Sequence, residues 1–107
     1  MNVENTQLQM RKGILEYCIL AIIDKGEIYS SDIMEALKSS HLIVVEGTLY
    51  PILTRLKNAG LLGYRWEESL QGPPRKYYSI TPEGKGFLDQ LHLTWKELNH
   101  AVNQAIK

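Results

Sequence analysis

The sequence of 107 residues has a single cysteine, Cys18, which excludes an internal disulfide and any zinc site built from several cysteines. Its longest aliphatic run, residues 19–23, is far shorter than the roughly 20 apolar residues of a membrane-spanning helix. The first ten residues lack the basic and apolar stretches of a secretory signal. These absences predict a cytoplasmic protein with no membrane partner, in which Cys18 is a buried small side chain.

Catalytic motifs are missing as well. The chain contains neither the G-x-S-x-G turn of a serine nucleophile nor the G-x-x-x-x-G-K-[ST] loop that binds phosphates. Its three histidines are scattered, and His92 and His100 are two helical turns apart, too far for a metal-binding pair on one helix turn. We therefore expect no enzyme, no cofactor and no metal.

Net charge is also absent, because 12 Lys and Arg residues balance 12 Asp and Glu residues. The distribution is uneven. Residues 1–46 hold four cations against seven acids, residues 47–80 hold five against two, and residues 81–107 hold three of each. The central segment therefore predicts a local basic surface suited to nucleic acid. The alternative is that these cations only solvate an exposed helix face.

With 44% hydrophobic and 22% charged residues, the composition is that of one folded domain. Apolar spacing predicts a first helix over residues 7–24, buried on two sides and ended by Gly26. The cluster Ser30–Asp32 is typical of a helix N-cap and predicts a short second helix. Residues 46–59 carry one apolar stripe at helical spacing and predict a third helix, ended by Gly60.

The third helix follows a connector at residues 41–45, and its side away from the apolar stripe carries cations and hydroxyls but no carboxylate. At 100° per residue, that face and its shoulders hold Gly47, Thr48, Tyr50, Pro51, Thr54, Arg55, Lys57 and Asn58. Pro51 removes one backbone hydrogen bond, and its ring presses toward residue 47, where glycine lets the backbone yield.

The rest of the chain predicts a hairpin and a long helix. Strands are expected at residues 61–67 and 76–80, joined by a projecting loop over 68–75 that Pro73 and Pro74 keep extended. Thr81-Pro82-Glu83 has the N-cap, first-turn proline and early acid that begin a helix. The apolar residues of that helix are spaced by three and four, as in a coiled-coil seam that requires a partner helix: Leu88, Leu91, Trp95, Leu98, Val102 and Ala105.

This order of elements predicts a mainly α fold with a small β-hairpin. Residues 1–80 would form a winged helix-turn-helix with an N-terminal helix, and residues 81–107 a C-terminal dimerisation helix, all within one compact domain.

Two blocks of this sequence resemble the PadR family of bacterial transcriptional regulators. Residues 47–61, GTLYPILTRLKNAGL, are similar to the family's third helix, G-T-L-Y-P-x-L-x-R-L-x-x-x-G-L. Residues 72–84, GPPRKYYSITPEG, are similar to its wing and the start of its last helix, G-x-P-R-K-Y-Y-x-L-T-x-x-G. The chain departs from the family at Ser30-Ser31, where Gly-Tyr is usual, and at Ser79, often Arg. The short segment after Thr81 resembles the subgroup with a single dimerising helix.

The resemblance implies a homodimeric repressor that binds pseudo-palindromic double-stranded DNA. The first turns of the third helix would approach base edges, Arg55 and Lys57 would bind phosphates, and Arg75 and Lys76 would reach the flanking minor groove or backbone. Ser30 and Ser31 would add a phosphate contact or only cap their helix. The predicted DNA-binding residues are Ser30, Ser31, Gly47, Thr48, Tyr50, Pro51, Thr54, Arg55, Lys57, Arg75 and Lys76.

Trp95 has two interpretations. It either fills the interface between subunits or forms the wall of a site for a planar aromatic effector, as the resemblance to multidrug-sensing short members implies. Leu15, Ile19 and Leu91 would line that site, and Leu88, Leu98 and Val102 complete the predicted interface. A rival function is a winged-helix dimer that binds proteins or small molecules but not DNA, which the neutral overall charge and Ser79 favour.

Overall fold

A computed structural model describes residues 1–42 and 44–107, and within this part the chain forms four helices and a three-stranded sheet. In chain order the elements are α1 (Val3–Asp24), β1 (Ile28–Tyr29), α2 (Ser30–Ser39), α3 (Glu46–Asn58), β2 (Leu62–Ser69), β3 (Gly72–Ile80) and α4 (Pro82–Ala105). The predicted winged helix-turn-helix with a long last helix is confirmed. Of the predicted connector 41–45, residue 43 lies outside the described residues.

Helix α1 starts one turn earlier than residue 7, because the Asn2 side chain accepts a hydrogen bond from the Glu4 amide at 2.8 Å and caps it. Residues 1–13 are exposed, whereas the second half of the helix supplies Leu15, Ile19, Leu20 and Ile23 to the core. The N-terminal half of α1 is thus a helix without a protomer core beneath it.

Helix α2 begins directly after β1, a two-residue strand that the sequence analysis did not predict. Its N-cap is Tyr29, with no side-chain capping bond, so the capping role expected of Ser30–Asp32 is wrong. The reason is tertiary: Ile28 and Tyr29 pair with Tyr78 and Tyr77 of β3, and the extended backbone passes from the strand into the helix without a free N-cap serine.

Helix α3 has the predicted start and stripe. Leu49, Ile52, Leu53 and Leu56 are buried, and Gly60, at a φ of 81°, follows the helix end in the left-handed conformation that glycine tolerates.

The sheet has the order β1-β3-β2 and is antiparallel throughout. The predicted eight-residue loop is wrong: β2 and β3 are joined by only residues 70–71, and a bulge lies between Glu67 and Ser69. Pro73 and Pro74 belong to β3. A proline fits there because β1 pairs only at the far end of β3, which leaves the proline segment with one hydrogen-bonding neighbour.

Helix α4 starts as predicted, with the Thr81 hydroxyl accepting a hydrogen bond from the Gly84 amide at 2.9 Å. Leu88 is buried and Leu91 is partly buried, but every residue from position 92 onward is exposed. The molecule is therefore elongated, with extents of 55, 32 and 23 Å. No helix in the described part of the chain is long and apolar enough to span a membrane.

Candidate nucleic-acid interface

The side of α3 opposite its buried stripe faces solvent. Thr48 is half-buried and Tyr50 keeps 45% of its surface exposed. The other candidate residues of this helix are all exposed: Gly47, Pro51, Thr54, Arg55 and Lys57. The structure thus brings the sequence-predicted α3 residues together on one accessible face of a size suited to a DNA major groove.

Arg55 has a partner that the sequence analysis missed. Its Nε donates a hydrogen bond to Glu16 Oε1 of α1 at 2.8 Å, and its second guanidinium nitrogen contacts the same carboxylate oxygen. The pair is exposed, since the two side chains keep 61% and 39% of their surface. Glu16 lies 39 residues away in sequence, so only the packing of α1 beside α3 reveals it. Glu16 therefore neutralises part of the positive charge of Arg55.

Ser30 lies inside the helix-turn-helix. It is only 5% exposed, and its hydroxyl is 3.2 Å from the Tyr50 hydroxyl, which links the start of α2 to α3. The Ser30 side chain is therefore not available as a surface phosphate ligand, and it holds Tyr50 instead. Ser31 is exposed beside it. Burial, and after it the neighbouring Tyr50 and Tyr64 phenols, raises the pKa of Tyr78 beneath this region.

The hairpin of β2 and β3, called the wing below, carries cations stacked on aromatic rings. On its outer face the Arg75 guanidinium lies 4.9 Å from the centroid of the Tyr29 ring, and Arg65 lies 5.2 Å from that of Tyr77. On the face toward α3, Lys76 Nζ lies 4.2 Å from the centroid of Tyr64. The stacking of these rings on cations depends on the register of the strands, which only the folded sheet sets.

The wing cations differ in charge compensation. Arg65 is held by Glu27 through two hydrogen bonds of 2.8 and 2.7 Å, which lower the pKa of the Glu27 carboxyl, and by Glu67 at 3.4 Å. Within residues 1–42 and 44–107, neither Arg75 nor Lys76 forms an ion pair. Arg75 and Lys76 are therefore the wing cations free to bind an anion.

A second surface lies between the N-terminal half of α1 and the C-terminal half of α4. A cavity of about 410 Å³ is lined mainly by apolar side chains together with Arg11 and Asn99, and an adjoining cavity of about 260 Å³ reaches Tyr17, Cys18 and Leu42. Trp95, 40% exposed, lines both. Burial raises the pKa of the Cys18 thiol. The larger cavity is lined by Met10, Arg11, Ile14, Trp95, Leu98, Asn99 and Val102.

The lining predicted for this site needs correction. Leu15 and Ile19 are 4% and 0% exposed within the protomer core, so neither reaches the cavities, and Ile14 on the adjacent face of α1 takes their place. Leu88 is likewise buried inside the protomer rather than exposed for a partner. The helical period explains the first correction, because one residue along α1 turns the side chain by about 100°. Leu88 is buried because the first part of α4 packs on the protomer core.

Two side-chain contacts connect helices α1 and α4. The Tyr17 hydroxyl lies 2.7 Å from His92 Nδ1, and Lys85 Nζ donates a hydrogen bond to Asp24 Oδ2 at 2.9 Å. These contacts set the position of the exposed part of α4 relative to the helix-turn-helix.

Comparison with known proteins agrees with this architecture. The Transcriptional regulator PadR-like family matches residues 19–90. A PadR-like transcription factor from Bacteroides fragilis is 60% identical, with a TM-score of 0.79 over 94% of this chain and 97% of that one. A PadR family transcriptional regulator from Eggerthella lenta is 28% identical, with a TM-score of 0.90 over 98% and 92%.

A third similar structure is that of Bacillus subtilis PadR in complex with operator DNA. It is 27% identical, with a TM-score of 0.68 over 73% of this chain and 46% of that one. The family match covers about two thirds of the sequence, including α3 and the wing. The chain belongs to the PadR-like family of transcriptional regulators.

Proposed function

We propose that the chain acts as a homodimeric repressor that binds pseudo-palindromic double-stranded DNA through α3 and the wing. The observation that carries this proposal is the exposed, carboxylate-free side of α3 together with cations of α3 and the wing that form no ion pair within the described residues. Lys57 and Lys76 line the space between α3 and the wing, and Arg75 lies on the outer face of the wing. The Bacillus subtilis relative solved in complex with operator DNA supports a DNA-binding role.

The N-terminal turns of α3 are proposed to enter the major groove, where Thr48, Tyr50, Pro51 and Thr54 approach base edges and thymine methyl groups beside Gly47. Arg55 and Ser31 contact the backbone, and Arg75 contacts the backbone or the flanking minor groove. Ser30 acts through Tyr50, whose hydroxyl it holds. Glu68 and Leu70 lie near the tip of the wing, and Glu67 lies opposite Arg75 in the strand register, so Arg75 and Lys76, rather than the tip, supply the attraction for DNA.

The dimer is proposed to form through residues 81–107 together with the first half of α1. Helix α4 leaves Trp95, Leu98 and Val102 exposed, and Met10 of α1 is exposed next to them. Leu8 of α1 and Ile106 at the end of α4 are exposed as well. An apolar surface of this kind on two adjacent helices favours burial against a second copy. Two-fold symmetry then places the two α3 helices at half-sites about 10 bp apart or a multiple of that.

The 410 Å³ cavity beside Trp95 is proposed to hold a planar aromatic effector at the dimer seam. A compound that binds one spacing of the two α4 helices better than another shifts the dimer toward that spacing. The relative tilt of the two winged helix-turn-helix units then changes, and the dimer releases DNA.

Selection of bound sites from a random double-stranded DNA pool tests the proposed function directly. We expect a recovered consensus with two-fold symmetry and half-sites separated by whole helical turns. A pool that shows no enrichment would favour the alternative, a winged-helix dimer that does not bind DNA. The Arg55–Glu16 pair and the acidic residues near the wing tip support that alternative.

Replacing Arg55 or Arg75 by alanine is expected to weaken binding to all DNA sequences. Arg75→Ala is expected to flatten the salt dependence by about one unit of slope per subunit, because Arg75 neutralises one phosphate, and Arg55→Ala is expected to flatten it by less, because Glu16 already compensates part of the charge of Arg55. Gel-shift titrations at several salt concentrations measure both effects. Unchanged slopes in both variants would remove these residues from the interface.

Two further variants serve as matched controls. Arg65→Ala is expected to leave the slope unchanged, because Glu27 and Glu67 already compensate Arg65. Glu16→Gln is expected to raise the affinity and steepen the slope, because it releases Arg55 from its carboxylate partner. A lower affinity of Glu16→Gln would mean instead that Glu16 orients Arg55 for DNA.

The effector site predicts a specific fluorescence result. Planar aromatic dyes are expected to quench tryptophan emission in the wild type and in Trp66→Phe, and quenching is expected to vanish in Trp95→Ala. The physical reason is that Trp95 lines both cavities, whereas Trp66 lies on the wing. Quenching that persists in Trp95→Ala would place the dye elsewhere.

A further inference from the structure

We propose that Lys57 of α3 and Lys76 of β3 form one shared site for a single DNA backbone phosphate, with the ring of Tyr64 positioning both ammonium groups. The inference rests on the proposed function and deepens it, since two cations that are far apart in sequence become ligands of the same anion. We name this site the phosphate notch and define it by Thr54, Lys57, Asn58, Tyr64 and Lys76.

The geometry of the notch brings the two lysines to one ring. Lys76 Nζ lies 4.2 Å and Lys57 Nζ 5.5 Å from the centroid of Tyr64. Both side chains line the same cavity of about 150 Å³ between α3 and the wing. Thr54 and Asn58, one helical turn apart on α3, add a hydroxyl and an amide to its wall. The cavity therefore offers two cations and two neutral hydrogen-bond donors.

The electrostatics of the notch favour an anion. None of the residues that line it is acidic, and within the described part of the chain neither lysine has a carboxylate within ion-pair distance. Arg55, Arg65 and Lys85, by contrast, each have such a carboxylate. Two like charges that share one small cavity without a counterion attract an anion more strongly than either alone.

Tyr64 explains how the lysines can be ordered without being neutralised. A cation over an aromatic face at an exposed site is held more weakly than in a charge-assisted bond to an oxyanion, and the ring carries no net charge. The ring thus restricts both side chains while leaving their charge available. Trp66 adds a second ring at 5.1 Å from Lys76 Nζ.

The position of the notch fits a backbone phosphate rather than a base. It lies between the helix proposed for the major groove and the wing proposed for the neighbouring groove. A sugar–phosphate strand separates these two grooves of a duplex, so that strand passes over the space between α3 and the wing.

The salt dependence of DNA binding separates a shared phosphate from two independent ones. Because the slope counts neutralised phosphates, the double variant Lys57→Gln/Lys76→Gln is expected to flatten it by about one unit per subunit, and each single variant by less than one. A loss of about two units per subunit would mean separate phosphates and would overturn the notch. Lys96→Gln on α4 serves as the matched control and should keep the wild-type slope.

A second measurement locates the phosphate. In a selected DNA site scanned with single neutral methylphosphonates, one position in each half-site is expected to weaken wild-type binding and to have no effect on the double variant. Tyr64→Phe should behave as wild type, whereas Tyr64→Leu should reduce this position's effect without loss of folded protein. If each methylphosphonate lowers the DNA affinity of the wild type and of the double variant by the same factor at every position, the proposed site is wrong.

These outcomes are distinguishable from failure of the proposed function. If wild-type protein recovers no DNA from the random pool, the DNA-binding function falls, and the notch falls with it. If wild-type protein binds DNA and the double variant retains its slope, only the notch is wrong.

Discussion

Gly84→Ala is expected to destabilise the protein by more than about 3 kcal/mol, which is large for a single methyl group. A Cβ at this position would overlap the backbone carbonyl oxygen of Leu61 and lie 2.8 Å from Ile80 Cγ1. The Leu61 carbonyl cannot easily move, because it accepts a hydrogen bond from the Thr81 amide at 3.1 Å. The variant must therefore separate α4 from the turn between α3 and β2.

Gly86→Ala is the matched control for this prediction. A Cβ at Gly86 would meet no other atom within 4 Å, and the residue lies in the same helix. Alanine is the better helix former by about 1 kcal/mol, so this variant is expected to be slightly more stable than wild type. Urea unfolding at one fixed protein concentration compares the three proteins. Equal midpoints for the two alanine variants would contradict the close approach at Gly84.

Leu98→Asp is expected to give a folded monomer whose affinity for operator DNA is at least about 100-fold lower. Leu98 is 49% exposed in the protomer and lines the cavity next to Trp95, at the centre of the proposed interface. Each dimer would bury two unpaired carboxylates there, at several kcal/mol, while 1.4 kcal/mol corresponds to a factor of ten in association. Sedimentation velocity measures the dimer, and fluorescence anisotropy with labelled DNA measures affinity.

Leu93→Asp controls for the effect of adding a charge to α4. Leu93 is 55% exposed but lies off the row formed by Leu91, Trp95 and Leu98. This variant is expected to remain dimeric and to bind DNA with an affinity close to that of wild type. A Leu98→Asp protein that stays dimeric would show that the subunits associate through a different surface.

Elements with a strong local signal were predicted from sequence. The apolar stripe of α3 and the Thr81-Pro82 start of α4 need only short-range periodicity and capping, and both match the structure. The predictions of the α2 N-cap and of the hairpin loop were wrong. The first depends on the pairing of β1 with β3 and the second on a two-residue turn with a bulge, and both features depend on partners distant in sequence. Strand pairing is not encoded in the local pattern of either segment.

The candidate site divides in the same way. The carboxylate-free face of α3 follows from helical period alone, and the resemblance to the PadR family rests on the motifs at residues 47–61 and 72–84. The Glu16 partner of Arg55, the burial of Ser30 against Tyr50, and the placement of two lysines on Tyr64 required the packed structure.

The sequence by itself determined which helices form, which side of each is apolar, and where the cations lie along the chain, because these properties depend on neighbours within a few residues. Only the tertiary structure decided which cations are compensated and which remain free. Charge compensation between elements depends on distances of a few ångströms between residues that are 38 to 61 positions apart, such as Glu16 and Arg55, and those distances are set by how the core packs.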